Sequence, residues 1–382
     1  KRQLKTSSRP VYLDYSATTP ADPAVLQRFC ETELAFLGNA NSTHASGRAA
    51  KARMDALTAS IAALLDVQPE EIIYTSGASE ANNTAIFGLA RANRHVGRHI
   101  ISTPLEHPSV SGCLTALQEQ GYEIDLLDIG RDGKLDLTQL QALLRPDTAL
   151  VCITAVDSEL GTVQPVQAVS EILQRFPACR LHVDATQAIG KIPFDFSCAD
   201  TASFTPHKFY GLCGSGILYK RSGIVLEPLI RGGASTTLYR AGTPALGLAA
   251  AAELALQLAY DQFDARLQAV RAHNQALRQF FSGFPKVTIN SPAGAVPHIL
   301  NLSVDGVRGA DMQRALDEKA VCVSVKSACS VANTPSRAVF AVSRSRKTAL
   351  CSFRVSLSHL TTQEDLSAFM ERFTQCYQEL TQ

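Results

Sequence analysis

Asp184 and Lys208 lie 208 − 184 = 24 residues apart, each just past a short apolar run: Leu181-His182-Val183 before the aspartate, Ala202 to Thr205 before the lysine. A lysine amine can form a Schiff base with an aldehyde, and a carboxylate can keep a pyridinium nitrogen protonated. Together they are the pair that a pyridoxal phosphate (PLP) site requires. The spacing alone is met as well by a surface lysine and a strand-end aspartate, because strand-end carboxylates are common in α/β proteins.

Other stretches offer matching chemistry. The run Ile72–Thr75 is strand-like, Ser76-Gly77-Ala78-Ser79-Glu80 is a turn of small residues, and a helix is expected from about Glu80 to Arg91. Free N–H groups at such a helix start attract an anion, and small residues let a phosphate approach the backbone. Ser79 serves equally as an ordinary N-cap. His107 follows the strand His99–Thr103, where it could stack on an aromatic ring or shuttle a proton, or be a satisfied loop histidine. Cys329 sits in Ser327-Ala328-Cys329-Ser330 after a strand at Val321–Val325, and Arg354 sits on a strand at Ser352–Leu357. The polar, glycine-rich stretches Gly38–Gly47 and Ile230–Pro244 are expected as loops.

These residues need a frame. Strand-like and helix-like runs alternate from Ile72 to Thr205, which implies a mainly parallel sheet with the polar clusters at one set of strand ends. Gly214–Tyr219 is expected to be antiparallel, and Ala245 to about Phe281 a single long helix. Further strands are expected near Val287–Ile289 and His298–Val304, with helices at Ala310–Lys319 and Gln363–Leu380. With 382 residues the chain is long enough for two domains. The 36 basic and 35 acidic residues leave a net charge of +1, which gives no nucleic-acid or membrane surface. No apolar run is long enough to span a bilayer, and Lys1–Pro10 lacks the apolar core of an export signal, so a cytoplasmic protein is expected. The 10 cysteines form no C-x-x-C pair, so neither a disulfide framework nor a metal site is expected.

Nine stretches taken together resemble the NifS/IscS-like cysteine desulfurases. They are Tyr12 to Pro20, Asn39 to Gly47, Tyr74 to Glu80, Glu106-His107, His182 to Gln187, His207-Lys208, Arg240 to Pro244, Ser327-Ala328-Cys329 and Arg354 to Leu357. They span almost the whole chain in the family's order. The resemblance implies a fold-type I PLP-dependent transferase, an α/β protein with a mainly parallel seven-stranded sheet. It implies a large PLP-binding domain at 16–258. A smaller α+β domain, from 1–15 and 259–382, would carry the cysteine loop and Arg354. It implies conversion of L-cysteine to L-alanine, with the sulfur left as a persulfide on Cys329. Lys208 would bind PLP, Asp184 would pair with the ring nitrogen, His107 would stack on the ring, and Gln187 would bond the ring hydroxyl. Ala78, Ser79, Thr205 and His207 would hold the phosphate, with Thr243 arriving from the second subunit of a homodimer. Arg354 would clamp the substrate carboxylate, and Ser158 and Asn39 would lie on the substrate side. Sulfur-acceptor proteins of iron–sulfur cluster or tRNA thiolation pathways would be the partners.

The chain departs from the family at several points. Asp157-Ser158 replaces an Asn-Asn pair, Thr205-Pro206 replaces Ser-Gly, and Ser343-Arg344-Ser345-Arg346-Lys347 forms a basic run expected to be a solvated loop or a partner surface. A related PLP enzyme such as a selenocysteine lyase or a C–S lyase, and a non-catalytic scaffold for acceptor proteins, are the competing readings. Retention of Lys208, Asp184 and Cys329 argues against the scaffold.

Overall fold

The computed structural model describes residues 10–326 and 334–382. Cys329 and its Ser-Ala-Cys motif lie outside the described residues. Strand β1 (Val11–Tyr12) is followed by helices α1 (Pro23–Ala35) and α2 (Ala45–Leu65). Strands and helices then alternate: β2 (Ile72–Thr75), α3 (Ala78–Ala92), β3 (His99–Ser102), α4 (Pro108–Glu119), β4 (Glu123–Leu126), α5 (Leu137–Leu143), β5 (Thr148–Thr154), α6 (Val166–Leu173), β6 (Arg180–Asp184). Next come β7 (Thr201–Phe204), β8 (Gly216–Lys220), α7 (Leu246–Asp261), α8 (Phe263–Phe281), β9 (Val287–Ile289), β10 (Ile299–Val304) and α9 (Gly309–Glu318). The chain ends with β11 (Val321–Cys322), α10 (Arg337–Ser343), α11 (Arg346–Leu350), β12 (Ser352–Ser356) and α12 (Gln363–Thr381).

Seven strands form one sheet in the order β2-β8-β7-β6-β5-β3-β4. Only β8 runs antiparallel to its neighbours. Period-two alternation sends its side chains to two cores, because both faces of a parallel sheet are covered. Ile101, Val151, Ile153, Leu181, Val183 and Phe204 join one cluster with Val169, Leu256 and Ala259 of the helices. Ile73, Ile100, Leu150, Cys152 and Leu218 join another with Ile86 and Leu89 of α3 and Val110 and Leu117 of α4. A separate cluster gathers Val11 and Leu13 with Leu277, Phe281, Leu302, Phe353, Phe369 and Phe373 around the strands β9, β10 and β12.

Two expectations need correction. The stretch Ala245–Phe281 is two helices, broken at Gln262, which leaves helical geometry (φ −105, ψ 12). The break follows from packing: Ala251, Ala255, Leu256 and Ala259 of α7 belong to the sheet's core, whereas Val270, Leu277 and Phe281 of α8 belong to the other cluster. The basic run Ser343–Lys347 is not a loop. Arg344 ends α10 in the left-handed region (φ 56) and donates to the Ile129 carbonyl, while Ser345 caps α11. Ala338, Val339 and Ala349 beside it are buried with the sheet's core.

Candidate active site

A cavity of about 340 Å³ opens at the carboxyl ends of β2, β5, β6 and β7. Asp184, the last residue of β6, is buried and doubly held: Asn82 Nδ2 donates to its Oδ2 at 2.9 Å and the Thr186 N–H to its Oδ1 at 2.9 Å. Lys208 closes a 3₁₀ turn, Pro206–Lys208, that follows β7, and Pro206 fits as its first residue because that position needs no N–H. Its Nζ donates to the Ser16 and Ala17 carbonyls, each at 2.7 Å. Gln187 Nε2 donates to the same Ser16 carbonyl, and its Oε1 accepts from buried Lys191.

His107 lines the cavity and caps α4, its Nδ1 accepting from the Ser109 N–H at 3.1 Å. Burial keeps its ring below the ordinary histidine range, while Asp184 pulls the other way. His207 also lines the cavity, with its pKa pushed down to about 4 by burial and by the nearby Lys208 charge. Neutral rings are suited to stacking and to accepting hydrogen bonds. Thr205 is buried on the cavity wall and its hydroxyl donates to the Ser215 carbonyl.

The helix starts at Gly77, so Ser79 does not act as the plain N-cap that is the alternative to a phosphate contact. Gly77 is the cap, Ser79 lies inside the first turn, and no side chain caps α3. A Cβ on Gly77 would meet nothing within 4 Å, so the space above these donors is open. Glu80, in the same turn, is paired with Arg240 at 2.9 Å. Burial pushes its carboxyl up, but the Arg240 and Ser76 hydrogen bonds outweigh that and hold it below its ordinary range. An uncapped helix start, an aspartate, a lysine and the partnerless buried hydroxyl of Thr186 therefore share one cavity. That donor set fits the needs of PLP: free N–H groups for a phosphate, a carboxylate for a pyridinium nitrogen and an amine for an aldehyde. Gly216, the first residue of β8, presses on this turn, since a Cβ there would lie 2.4 Å from the Gly77 carbonyl carbon. Gly216→Ala is expected to weaken cofactor affinity about tenfold and to cost about 1–3 kcal/mol of stability. A PLP titration and a urea melt would measure the two effects.

Arg354 reaches the cavity from β12 and is only 1 % exposed. Its Nη1 donates to the Ser158 carbonyl at 2.7 Å and its Nη2 to Asp14 at 2.9 Å, while Nε has no partner. Guanidinium donors therefore remain for a carboxylate.

Most of the expected residues meet here: Ala78, Ser79, His107, Ser158, Asp184, Gln187, Thr205, His207, Lys208 and Arg354 all line the cavity. Two do not. Thr243 lines a neighbouring cavity with Gly242 and Pro244. Asn39 is exposed, and its side-chain oxygen accepts from the Asn41 N–H. Asp157 is buried beneath the Ser158 turn. Sequence reasoning missed Asn82, which is wholly buried. Its amide donates to Asp184 and to Ser109, and its Oδ1 accepts from His182 and Ser203. Its place near the start of a helix that begins at the phosphate turn was the available signal. Cys213 was missed too. It is exposed, and among the described residues it is the cysteine that lines this cavity.

Comparison with known proteins gives the class. The aminotransferase class-V family model matches residues 11–369. A NifS/IcsS protein homolog of Lactobacillus delbrueckii subsp. bulgaricus is 34% identical over 97% of this chain and 98% of its own length. The cysteine desulfurase IscS of Azotobacter vinelandii is 36% identical over 94% of this chain and 90% of its own. A solved NifS-like protein superposes with a TM-score of 0.91 at 30% identity, covering 97% of this chain and 100% of that one. The fold and the cavity are those of a PLP-dependent α/β enzyme. The chain belongs to the aminotransferase class-V family.

Proposed function

We propose that this enzyme removes sulfur from L-cysteine, leaving L-alanine and a persulfide on Cys329. The observation that carries the reading is the convergence of Lys208, Asp184 and Arg354 on one cavity floored by the open start of α3. Bound PLP supplies an electron sink that labilises bonds at the substrate's Cα and Cβ.

This chain's residues do the rest. Asp184, braced by Asn82 and the Thr186 N–H, would pair with the ring nitrogen. Arg354, braced by Asp14 and Ser158, binds the cysteine carboxylate and fixes the orientation of Cα. Lys208, held by the Ser16 and Ala17 carbonyls, moves the Cα proton. The Cys329 thiolate attacks the substrate sulfur: a sulfur–sulfur bond forms, the Cβ–S bond breaks, and its electron pair takes up a proton on Cβ to give alanine. Cysteine plus enzyme thiol thus equals alanine plus enzyme persulfide, with no outside oxidant. An acceptor protein of an iron–sulfur or thiolation pathway removes the sulfur.

Cys329→Ala tests the assignment. It is expected to abolish sulfur release from cysteine while the protein keeps its cofactor colour. A variant that still releases sulfide at the normal rate would identify a lyase instead. Cys213→Ser runs beside it and is expected to keep its activity; a reversed pattern would move the acceptor thiol to Cys213. The enzyme acts as a homodimer, with Thr243 of the partner subunit completing each phosphate site, a reading supported by Thr243 lying outside its own chain's cavity. Sedimentation at twice the 41.0 kDa chain mass is the expected result.

A further inference from the structure

Asp157 stands where the family has asparagine, and the chemistry above leaves it without a task. It is 1 % exposed and opens the turn 157–161. Its Oδ2 accepts the Glu159 and Leu160 N–H groups, and its Oδ1 has no partner. The next residue is Ser158, whose carbonyl holds Arg354 Nη1. Glu106 is similarly buried at 3 %, with Oε1 accepting from Thr103 and Thr154 and Oε2 without a partner. Both acids line a second cavity, of about 490 Å³, that shares Leu105, His107 and Ser158 with the first. Two carboxyls buried against one cavity cannot both ionise cheaply.

We propose that Asp157 is a positioning residue that works in its protonated form, as one member of a buried acid pair with Glu106. Loss of its proton weakens the hold of Arg354 on the substrate carboxylate. The inference rests on the reading of Arg354 as the carboxylate clamp.

The charged surroundings agree. Burial pushes Asp157 up to about 7, Glu159 of its own turn adds to the rise, and Arg354 of β12 opposes it. Burial pushes Glu106 up to about 8, with Asp184 and Asp157 adding to it. His107 lies beside Glu106, and Glu159, Lys326 and Arg337 are the other charged residues that line the cavity among the described residues. An ionised Asp157 would compete with the substrate for Arg354, whereas an asparagine would accept the same two N–H groups and never ionise.

The sign for stability follows directly. A carboxyl whose folded pKa is raised stabilises the fold fully below its unfolded value and loses that contribution as pH rises to the folded value. For Asp157 the window runs from about 4 to about 7. The test compares PLP-saturated wild type with Asp157→Asn, and Glu106→Gln as a second variant. The wild-type melting temperature is expected to fall between pH 5 and pH 7.5 more steeply than that of Asp157→Asn, with Glu106→Gln also flattening the slope. The KM for cysteine of wild type, divided by that of Asp157→Asn, is expected to rise about tenfold from pH 7 to pH 9, with the kcat ratio flat. Titration of cysteine itself cancels in these ratios. Parallel melting curves, or a KM ratio that does not move with pH, would overturn the proposal. If Arg354→Gln leaves KM unchanged at pH 7, the clamp reading fails instead, and the melting curves still decide the state of Asp157.

Discussion

Lys208→Ala is expected to yield a folded, colourless protein that turns over cysteine at least about 10³-fold more slowly. Two losses combine. The cofactor loses its covalent anchor, and the Cα proton loses the base that moves it. The fold should survive, because Lys208 is only half-buried and its Nζ donates to backbone carbonyls of the Ser16–Ala17 turn. Circular dichroism would confirm the fold, and the yellow band of the wild type should be absent after PLP is added and excess removed. A variant that stays yellow through gel filtration and works within about tenfold of wild type would take the role away from Lys208.

Asn82→Ala should act through stability and cofactor affinity together. The side chain is fully buried and serves four neighbours: Asp184, Ser109, His182 and Ser203. Burial pushes His182 down to about 4, so it is a neutral ring that relies on Asn82 as a partner. Removing the amide leaves a buried carboxylate short of a donor and two further groups unsatisfied, at a cost of roughly 3 kcal/mol or more. Urea unfolding would record that cost. Because Asp184 would lose the donor that orients it, PLP affinity is expected to fall at least about tenfold. Asn82→Asp should be worse for the cofactor, since it sets a second carboxylate against Asp184. A stable Asn82→Ala variant with normal PLP affinity would show that Asp184 is held in place by its backbone alone.

The reading from sequence succeeded where chemistry and local pattern coincide. The alternation from Ile72 to Thr205 specified the parallel sheet, because each strand's apolar residues feed one of two covered faces. Asp184, Lys208 and the Ser76–Glu80 turn were visible because strand ends and helix starts mark ligand positions. The break at Gln262 was hidden, since alanine and leucine spacing continues through it and only the choice between two cores redirects the chain. The α10–α11 junction was hidden for a related reason: a basic run looks solvated unless the buried residues flanking it are known. Asn82 was overlooked because its four partners come from three separate elements, α4, β6 and β7. The pairing of Arg354 with Asp14 spans 340 residues and leaves no local trace.

That long span also governs how the enzyme comes into being. β1 pairs with β11, 321 − 11 = 310 residues later, and Asp14 bridges to Ser356 on β12. At a synthesis rate of about 5–20 residues per second, the first strand waits roughly 15–60 s for its partner to emerge. All seven strands of the sheet that carries Asp184 are made once β8 emerges, and α7 follows to cover it, so the cofactor pocket can assemble while the carboxylate clamp does not yet exist. A nascent chain therefore gains the means to hold its cofactor before it can grip a substrate, and reactive chemistry is withheld until the last strand is made.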